Sequence, residues 1–520
     1  MGTRILALFA GVVVALAQPP WGLLPGLLGY GLLLRLIDLL GSKARWRSAF
    51  ALGWFAGLGY FLPSLAWLVH PFQVDAEAQG WMAPLAVGLV SGFLALFWGA
   101  ATMAYRALAG RGPQRVLLFA ATLALAEWLR GHVLTGFPWD LPGETWRAGS
   151  APSQAAALVG AYGLSWITLV AAAAPVTVFE GWRGRLMAAS TVAIVAGLYI
   201  FGAVRLANAA PIDPRAPWVR IVQAEVKQES KYDSRLFSSI VSRYVTLTAR
   251  KPAGRQPDIV IWPEGAIPAA LEEYLADGAW TRDMIAASLK PNQTLILGGY
   301  RFASDTKGVP ITFNSLAVLK PDGKDLKITG VYDKFRLVPF GEFMPFDSIA
   351  SRWGIKQFVH VGYGFTPGPR PRPLRIAGLP PMQPLICYES LFPGLTREGA
   401  TLSGERAAWI VNISNDAWFG AGMGPRQHLN IASYRAIEEG LPMIRATPTG
   451  VSAVIDAYGR APPARRLGVG VYGVIDAPIP PALEPTLYDW LGDIPFWLML
   501  AVSLVGAAWP WPIRKGLRPG

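Results

Sequence analysis

Residues 258–265 read Asp-Ile-Val-Ile-Trp-Pro-Glu-Gly. Ile259, Val260, Ile261 and Trp262 are strand-forming types, and Pro263 has no N–H with which to continue a ladder. A short apolar run closed by turn residues predicts a strand inside a sheet covered by helices. A carboxylate, Glu264, sits just past the stop. In an α/β sheet the carboxyl ends of the strands face the crevice where ligands bind.

The same grammar repeats on both sides. Short apolar runs at 219–223, 294–298, 315–319, 385–388, 408–413, 444–446, 452–455 and 470–475 are separated by Gly, Pro, Asn and Asp. Helical stretches at 236–249, 279–289 and 428–439 lie between several of them. Strands alternating with helices predict one α/β domain over residues 206–490. The proline-rich 367–373 reads as a rigid surface connection, and no internal repeat or low-complexity tract stands out.

Outside that domain the chain changes character. Of its 520 residues 52% are hydrophobic and 16% charged, against about 25% charged in a soluble globular chain. The excess is concentrated in eight apolar runs, near 4–18, 22–40, 49–70, 83–106, 115–130, 154–179, 186–205 and 494–513. A bilayer core about 30 Å thick takes roughly 20 apolar residues as a helix. This predicts a membrane bundle of seven helices over residues 1–205, and an eighth helix with a cytoplasmic tail over 491–520. The first and fifth runs are short, and Arg35 and Asp38 interrupt the second. Transporters place ionisable groups along a path through the membrane; Arg35 and Asp38, at i and i+3 near a helix end, are better read as snorkelling or mutually paired.

Positive charge in short connections resists translocation and sets orientation. Arg4, then Lys43, Arg45 and Arg47, then Arg106, Arg111 and Arg115, then Arg183 and Arg185, and finally Arg514, Lys515 and Arg518 all fall on one side. The opposite connections hold Arg130 and Arg147 beside Asp75, Glu77, Asp140 and Glu144. Both termini are therefore expected in the cytoplasm of a bacterial inner membrane, with 206–490 in the periplasm. The first run also has the form of a secretory signal ending in Ala15-Leu16-Ala17. Pro19, Pro20 and the next apolar run favour its retention as a helix. Part of the net charge of +13 is this orientation signal, and the arginine and aromatic interleaving of a strand-binding surface is lacking, which argues against nucleic acid.

The chain has one cysteine, Cys387, so no intrachain disulfide forms. Pro384, Leu385 and Ile386 before it read as a buried strand, where Cys can serve merely as a small hydrophobe. At the strand end it can instead be a nucleophile, which needs a base or a cation beside it. The four histidines are His70, His132, His360 and His428; none lies in a recognisable catalytic setting, and with one Cys no zinc ligand set exists. Carboxylates must then supply the base. Residues 331–342 read Val-Tyr-Asp-Lys-Phe-Arg-Leu-Val-Pro-Phe-Gly-Glu and place Lys334 among apolar and aromatic neighbours. Singly, each charge is an ordinary solvated strand end; Glu264, Lys334 and Cys387 together form a working set.

The Trp-Pro-Glu, Asp-Lys and Cys-Tyr-Glu elements resemble the Glu, Lys, Cys triad of the nitrilase superfamily. With membrane spans on both sides, KFRLVPFGEFMP at 334–345, SNDAWFG at 414–420 and Gly136-Phe137-Pro138-Trp139, the chain is similar to that superfamily's membrane-embedded branch, the apolipoprotein N-acyltransferases. The resemblance implies an αββα sandwich, with Cys387 as nucleophile, Glu264 as general base and Lys334 stabilising the oxyanion. Glu342, Tyr388 and Glu389 become supporting residues. It implies transfer of an acyl chain from a phospholipid to the α-amino group of diacylglyceryl-cysteine in an apolipoprotein, without a cofactor or metal. The expected partners are that donor, that acceptor and the lipid bilayer, and nothing requires more than a monomer. Residues 222–232 depart from the family pattern, lacking Gly-Asn after the Gln and carrying Tyr232 where Trp is common; Tyr232 is still expected as a lid residue. The apolar stretch with Phe343, Phe346, Trp353 and Phe358 is expected to admit acyl chains and keep water out, unless it is simply core. A membrane-tethered amidase using water as acceptor would need the same three catalytic residues.

Overall fold

The computed structural model describes residues 1–41, 46–108, 112–252, 254–323, 325–345 and 364–508. All eight apolar runs form helices, but their lengths divide them. Ala76–Leu108, Arg115–Thr135, Pro152–Thr177 and Gly181–Ala207 are long and apolar enough to cross a membrane, and Trp46–Ser64 joins Ala66–Gln73 across a 49° bend as a fifth candidate. Gly2–Ala15 has 14 residues and Leu28–Asp38 has 11, so neither reaches 30 Å at 1.5 Å per residue. Ile494–Ala508 has 15; the rest of the eighth run lies outside the described residues, as do Lys43, Arg45, Arg111, Arg514, Lys515 and Arg518.

Two polar features of the bundle differ from the sequence expectation. Asp38 does not pair with Arg35, which is exposed; it accepts from Arg115 and from the Tyr105 hydroxyl, each at 2.8 Å. A Glu127–Arg130 ion pair lies buried within one of the long helices. Both charges are satisfied inside the bundle: Trp98 donates to Glu127 at 2.6 Å, and Arg130 donates to the carbonyls of Phe137 and Trp139 at 2.5 and 3.0 Å.

Eleven strands form two sheets among the described residues: β1 Trp218–Gln223, β2 Ile259–Ile261, β3 Thr294–Ser304, β4 Pro310–Asp322, β5 Asp325–Asp333, β6 Met382–Ile386, β7 Trp409–Ile413, β8 Met443–Ala446, β9 Ser452–Ile455, β10 Arg466–Leu467 and β11 Gly473–Pro478. One sheet has the order β11-β1-β2-β3-β4-β5, the other β10-β9-β8-β7-β6. The first has a parallel centre, β1-β2-β3, with antiparallel strands on both sides; in the second β6-β7-β8 run parallel from one edge, and β9 and β10 follow antiparallel. β5 escaped the sequence reading because it is an edge strand, mostly exposed and without a continuous apolar run. The run at 385–388 is strand only to Ile386; Cys387 opens a 3-10 turn, Cys387–Leu391.

Period-two alternation decides what each face covers. Val219, Ile221, Ile259, Ile261 and Ile296 of the first sheet meet Met382, Ile386, Val411, Ile413 and Ile444 of the second in one buried cluster. Val222, Val260, Leu295 and Leu297 point the other way, onto helices Phe237–Ala249 and Trp280–Ser288. Leu385, Ile410 and Met443 pack instead with Ile431, Ala432 and Ala436 of helix Gly424–Glu439, in a cluster that continues into the membrane helices. The layers therefore run helices, sheet, sheet, helix, bundle.

Candidate active site

The three charged or nucleophilic residues singled out in the sequence follow three different strands, β2, β5 and β6. The sandwich brings them together. The Lys334 ammonium lies 3.2 Å from Oε1 of Glu264 and 2.9 Å from Oε1 of Glu342, and Cys387 lies within electrostatic reach of both Glu264 and Lys334. All four are buried. Burial alone would lower Lys334, but the Glu264 and Glu342 carboxylates outweigh it and hold the ammonium charged.

Asn314, on β4, was not singled out in the sequence. Its Nδ2 donates to Glu264 Oε1 and to Glu342 Oε1, at 2.7 Å each, so it holds the two carboxylates around the ammonium. Glu264 Oε2 accepts the backbone N–H of Asn415 at 2.7 Å, and Glu342 Oε2 that of Val338 at 2.8 Å. Gly298 makes room for the Glu264 turn: a β-carbon there would come within 2.6 Å of the Glu264 Cα. A Gly inside a strand pattern often marks such a close approach.

Cys387 has φ +49°, a left-handed conformation uncommon for a side-chain-bearing residue. Two neighbours fix it. Glu389 accepts the N–H of Ile386 at 2.7 Å through one oxygen, and through the other accepts the Tyr332 hydroxyl, Phe335 N–H and Arg336 N–H at 2.6, 2.7 and 3.1 Å. Glu389 thus ties the thiol's turn to the turn that carries Lys334. Ser390 donates to the Cys387 carbonyl at 2.8 Å. Burial and then the Glu264 charge push the thiol up to about 12, with Lys334 opposing. At rest it is a thiol, so its proton must leave as attack occurs.

Beyond Cys387 lies a buried network that the sequence reading passed over. Asp416 accepts from Ser414 at 2.7 Å and from Arg445 at 2.9 Å, and lies 3.0 Å from Nδ1 of His428. Nε2 of His428 is 3.1 Å from the Ser390 hydroxyl. His428 thus supports the turn of Cys387 both through Ser390 and through the Cys387 backbone. Burial first, and then Arg445, draw it below the ordinary imidazole range. The triplet Ser414-Asn415-Asp416 was visible in the sequence as a motif without a role.

The remaining candidates divide. Tyr388 donates to the Gly136 carbonyl at 2.5 Å and stacks on Phe137 at 6.5 Å, so the 136–139 segment of the bundle touches the site. Tyr232 is half-exposed and near the site, bonded to Gln228, which in turn accepts from Asn415. Phe343 is half-buried beside Glu342. Phe346, Trp353 and Phe358 lie outside the described residues.

Two family models match the chain: "Apolipoprotein N-acyltransferase N-terminal domain" over residues 10–174 and "Carbon-nitrogen hydrolase" over residues 187–480. An apolipoprotein N-acyltransferase of Caulobacter vibrioides is 52% identical over 97% of this chain and 94% of its own length. One from Bradyrhizobium diazoefficiens is 37% identical over 96% and 94%. Among solved structures, an amidase from Nesterenkonia sp. aligns with TM-score 0.35 and 16% identity over 52% of this chain and 93% of its own. A carbon-nitrogen hydrolase from Helicobacter pylori G27 aligns with TM-score 0.35 and 18% identity over 55% and 94%. On the full-length matches, the chain belongs to the apolipoprotein N-acyltransferase family.

Proposed function

We propose that this protein transfers an acyl chain from a membrane phospholipid to the N-terminal α-amino group of diacylglyceryl-cysteine in apolipoproteins, the last step of bacterial lipoprotein maturation, through a thioester on Cys387. The observation that carries this reading is the convergence of Glu264, Lys334 and Cys387 from three strand ends into one buried cluster, joined to an apolar helical bundle through Tyr388 and Gly136.

The first half-reaction begins with Glu264 taking the thiol proton as sulfur attacks the donor's ester carbonyl. Lys334, held by two carboxylates, faces the oxyanion; such a donor is worth about 3 kcal/mol. Glu264 then returns the proton to the departing lysophospholipid, leaving the thioester. In the second half-reaction Glu264 takes a proton from the incoming ammonium, and the amine displaces the thiol. Glu342 and Asn314 position Lys334 and Glu264, Glu389 shapes the turn of Cys387, and Tyr232 and Phe343 border the entrance.

Eight passes, with residues 1–205 and 491–520 in the inner membrane, both termini cytoplasmic and 206–490 periplasmic, fit the charge pattern of the connections. The two short N-terminal helices then cross a locally thinned or packed region. A monomer suffices for every step.

The test is the mass of the peptide containing Cys387 after exposure to phospholipid alone. One added acyl chain, absent from Cys387→Ala, supports the reading. Label on another residue would overturn it, and free fatty acid without acylated acceptor peptide would mean a hydrolase.

A further inference from the structure

Lys231 is a second buried cation near Glu264, and the proposed reaction gives it no part. Its ammonium is shielded from solvent and has no hydrogen-bond partner among the described residues. It belongs to the turn Glu229–Tyr232, which is latched to the site: the Asn415 side chain donates to Gln228 at 2.9 Å, and the Asn415 backbone to Glu264 at 2.7 Å. Nζ sits against the residue after Glu264, since a β-carbon on Gly265 would lie 3.5 Å from it. Glu264 reaches it only through space, its oxygens being occupied by Asn314, Lys334 and Asn415.

An ammonium has three N–H donors, and leaving them unpaired in a buried position is costly. Burial lowers Lys231 to about 8 while Glu264 opposes, so the group remains largely charged at neutral pH. A charged, unpaired donor beside a reacting centre waits for an acceptor. Of the two substrates, the acceptor peptide brings an ammonium, which Lys231 repels. The donor brings a phosphodiester within a few bonds of the ester to be cleaved, an anion with several oxygens to share among three N–H groups.

We propose that Lys231 binds the phosphate group of the acyl-donor lipid and so selects phospholipids over uncharged glycerides in the first half-reaction. This rests on the acyltransferase reading above. The ammonium turns the donor's ester toward Cys387, and departure of the lysophospholipid empties the site before the cationic acceptor enters.

Thioester formation on Cys387 would be followed in the full chain, in micelles, with phosphatidylglycerol and with diacylglycerol of the same acyl chains. The wild type is expected to favour the phospholipid in kcat/KM by about 10-fold or more. In K231M and K231Q that ratio should fall toward one, mainly through a higher KM for the phospholipid, and K231R should restore part of it. A preserved ratio in both neutral variants overturns the assignment, as does an equal loss with both donors, which a purely structural lysine would give. Inorganic phosphate at millimolar concentration separates the headgroup from the free anion. No effect on the diacylglycerol reaction supports the headgroup; acceleration of that reaction to the phospholipid rate means that the free ion fills the site and overturns it. A wild type forming no thioester from either donor would overturn the acyltransferase reading itself.

Discussion

The Tyr388 hydroxyl donates to the Gly136 carbonyl at 2.5 Å, joining the residue after the thiol to a segment of the helical bundle 252 positions earlier. That segment is itself held from within the bundle, where Arg130, paired with Glu127, donates to the carbonyls of Phe137 and Trp139. Trp139 donates onward to Gln427 at 3.2 Å on the helix beneath the second sheet. The apolar helical bundle thus packs directly under the candidate site.

Tyr388→Phe removes this one bond while keeping the ring stacked on Phe137. We expect a stability loss of about 1 kcal/mol with a larger proportional fall in thioester formation, because the turn bearing Cys387 loses its tie to the bundle. Parallel thermal unfolding and single-turnover acylation measure the two; a drop in stability with unchanged acylation would make the bond merely structural.

Glu264→Gln separates the two effects of the carboxylate on the thiol. Its charge pushes Cys387 upward, so the amide variant should shift the pH profile of thiol alkylation by iodoacetamide to lower pH. Acylation by phospholipid should nevertheless be lost, because no base remains to take the proton. An alkylation profile left in place would mean that the charge of Glu264 does not reach the sulfur.

Glu342→Gln leaves Lys334 with one carboxylate instead of two. Losing a charge-assisted bond of about 2 kcal/mol should slow thioester formation by roughly 30-fold without abolishing it, whereas Lys334→Ala should abolish it. Equal losses in the two variants would mean that Glu342 acts on substrate directly.

Asp416 governs acid stability. Burial would raise its carboxyl, but Arg445, His428 and Ser414 more than offset this and hold it well below the usual carboxylate range. A folded-state value below the unfolded one contributes stability that is present above about pH 4 and is lost as pH falls from there toward the folded value. Asp416→Asn should therefore be less stable than the wild type at pH 7, with the gap closing on acidification below about pH 4. Unfolding midpoints across that range test the sign.

Much of the site was legible before folding because strand ends in α/β sheets aim side chains at a common crevice. Trp-Pro-Glu, Asp-Lys and Cys-Tyr-Glu each advertise a strand stopping at a chemical group, and the apolar alternation of Val219–Val222, Ile259–Ile261 and Leu385–Ile386 fixed which side chains enter the space between sheets. Asn314 carried no such mark. It lies within a strand, and its role exists only because Glu264 and Glu342 arrive from elsewhere to share its amide. His428 was similarly mute, and Asp416 stood out only as part of the SNDAWFG motif without a role, because the partners of both are brought by folding.

The sequence by itself determined the apolar helices and the layered α/β domain, and it singled out Cys387, Glu264 and Lys334 as the candidate nucleophile, base and cation, because these readings depend on local periodicity and residue chemistry. Tertiary structure alone decided the left-handed turn of Cys387, the sharing of Lys334 between two carboxylates, the unpaired ammonium of Lys231 and the Tyr388 tie to Gly136. Each of these depends on which residues the packing of the sheets and the bundle brings together or keeps apart.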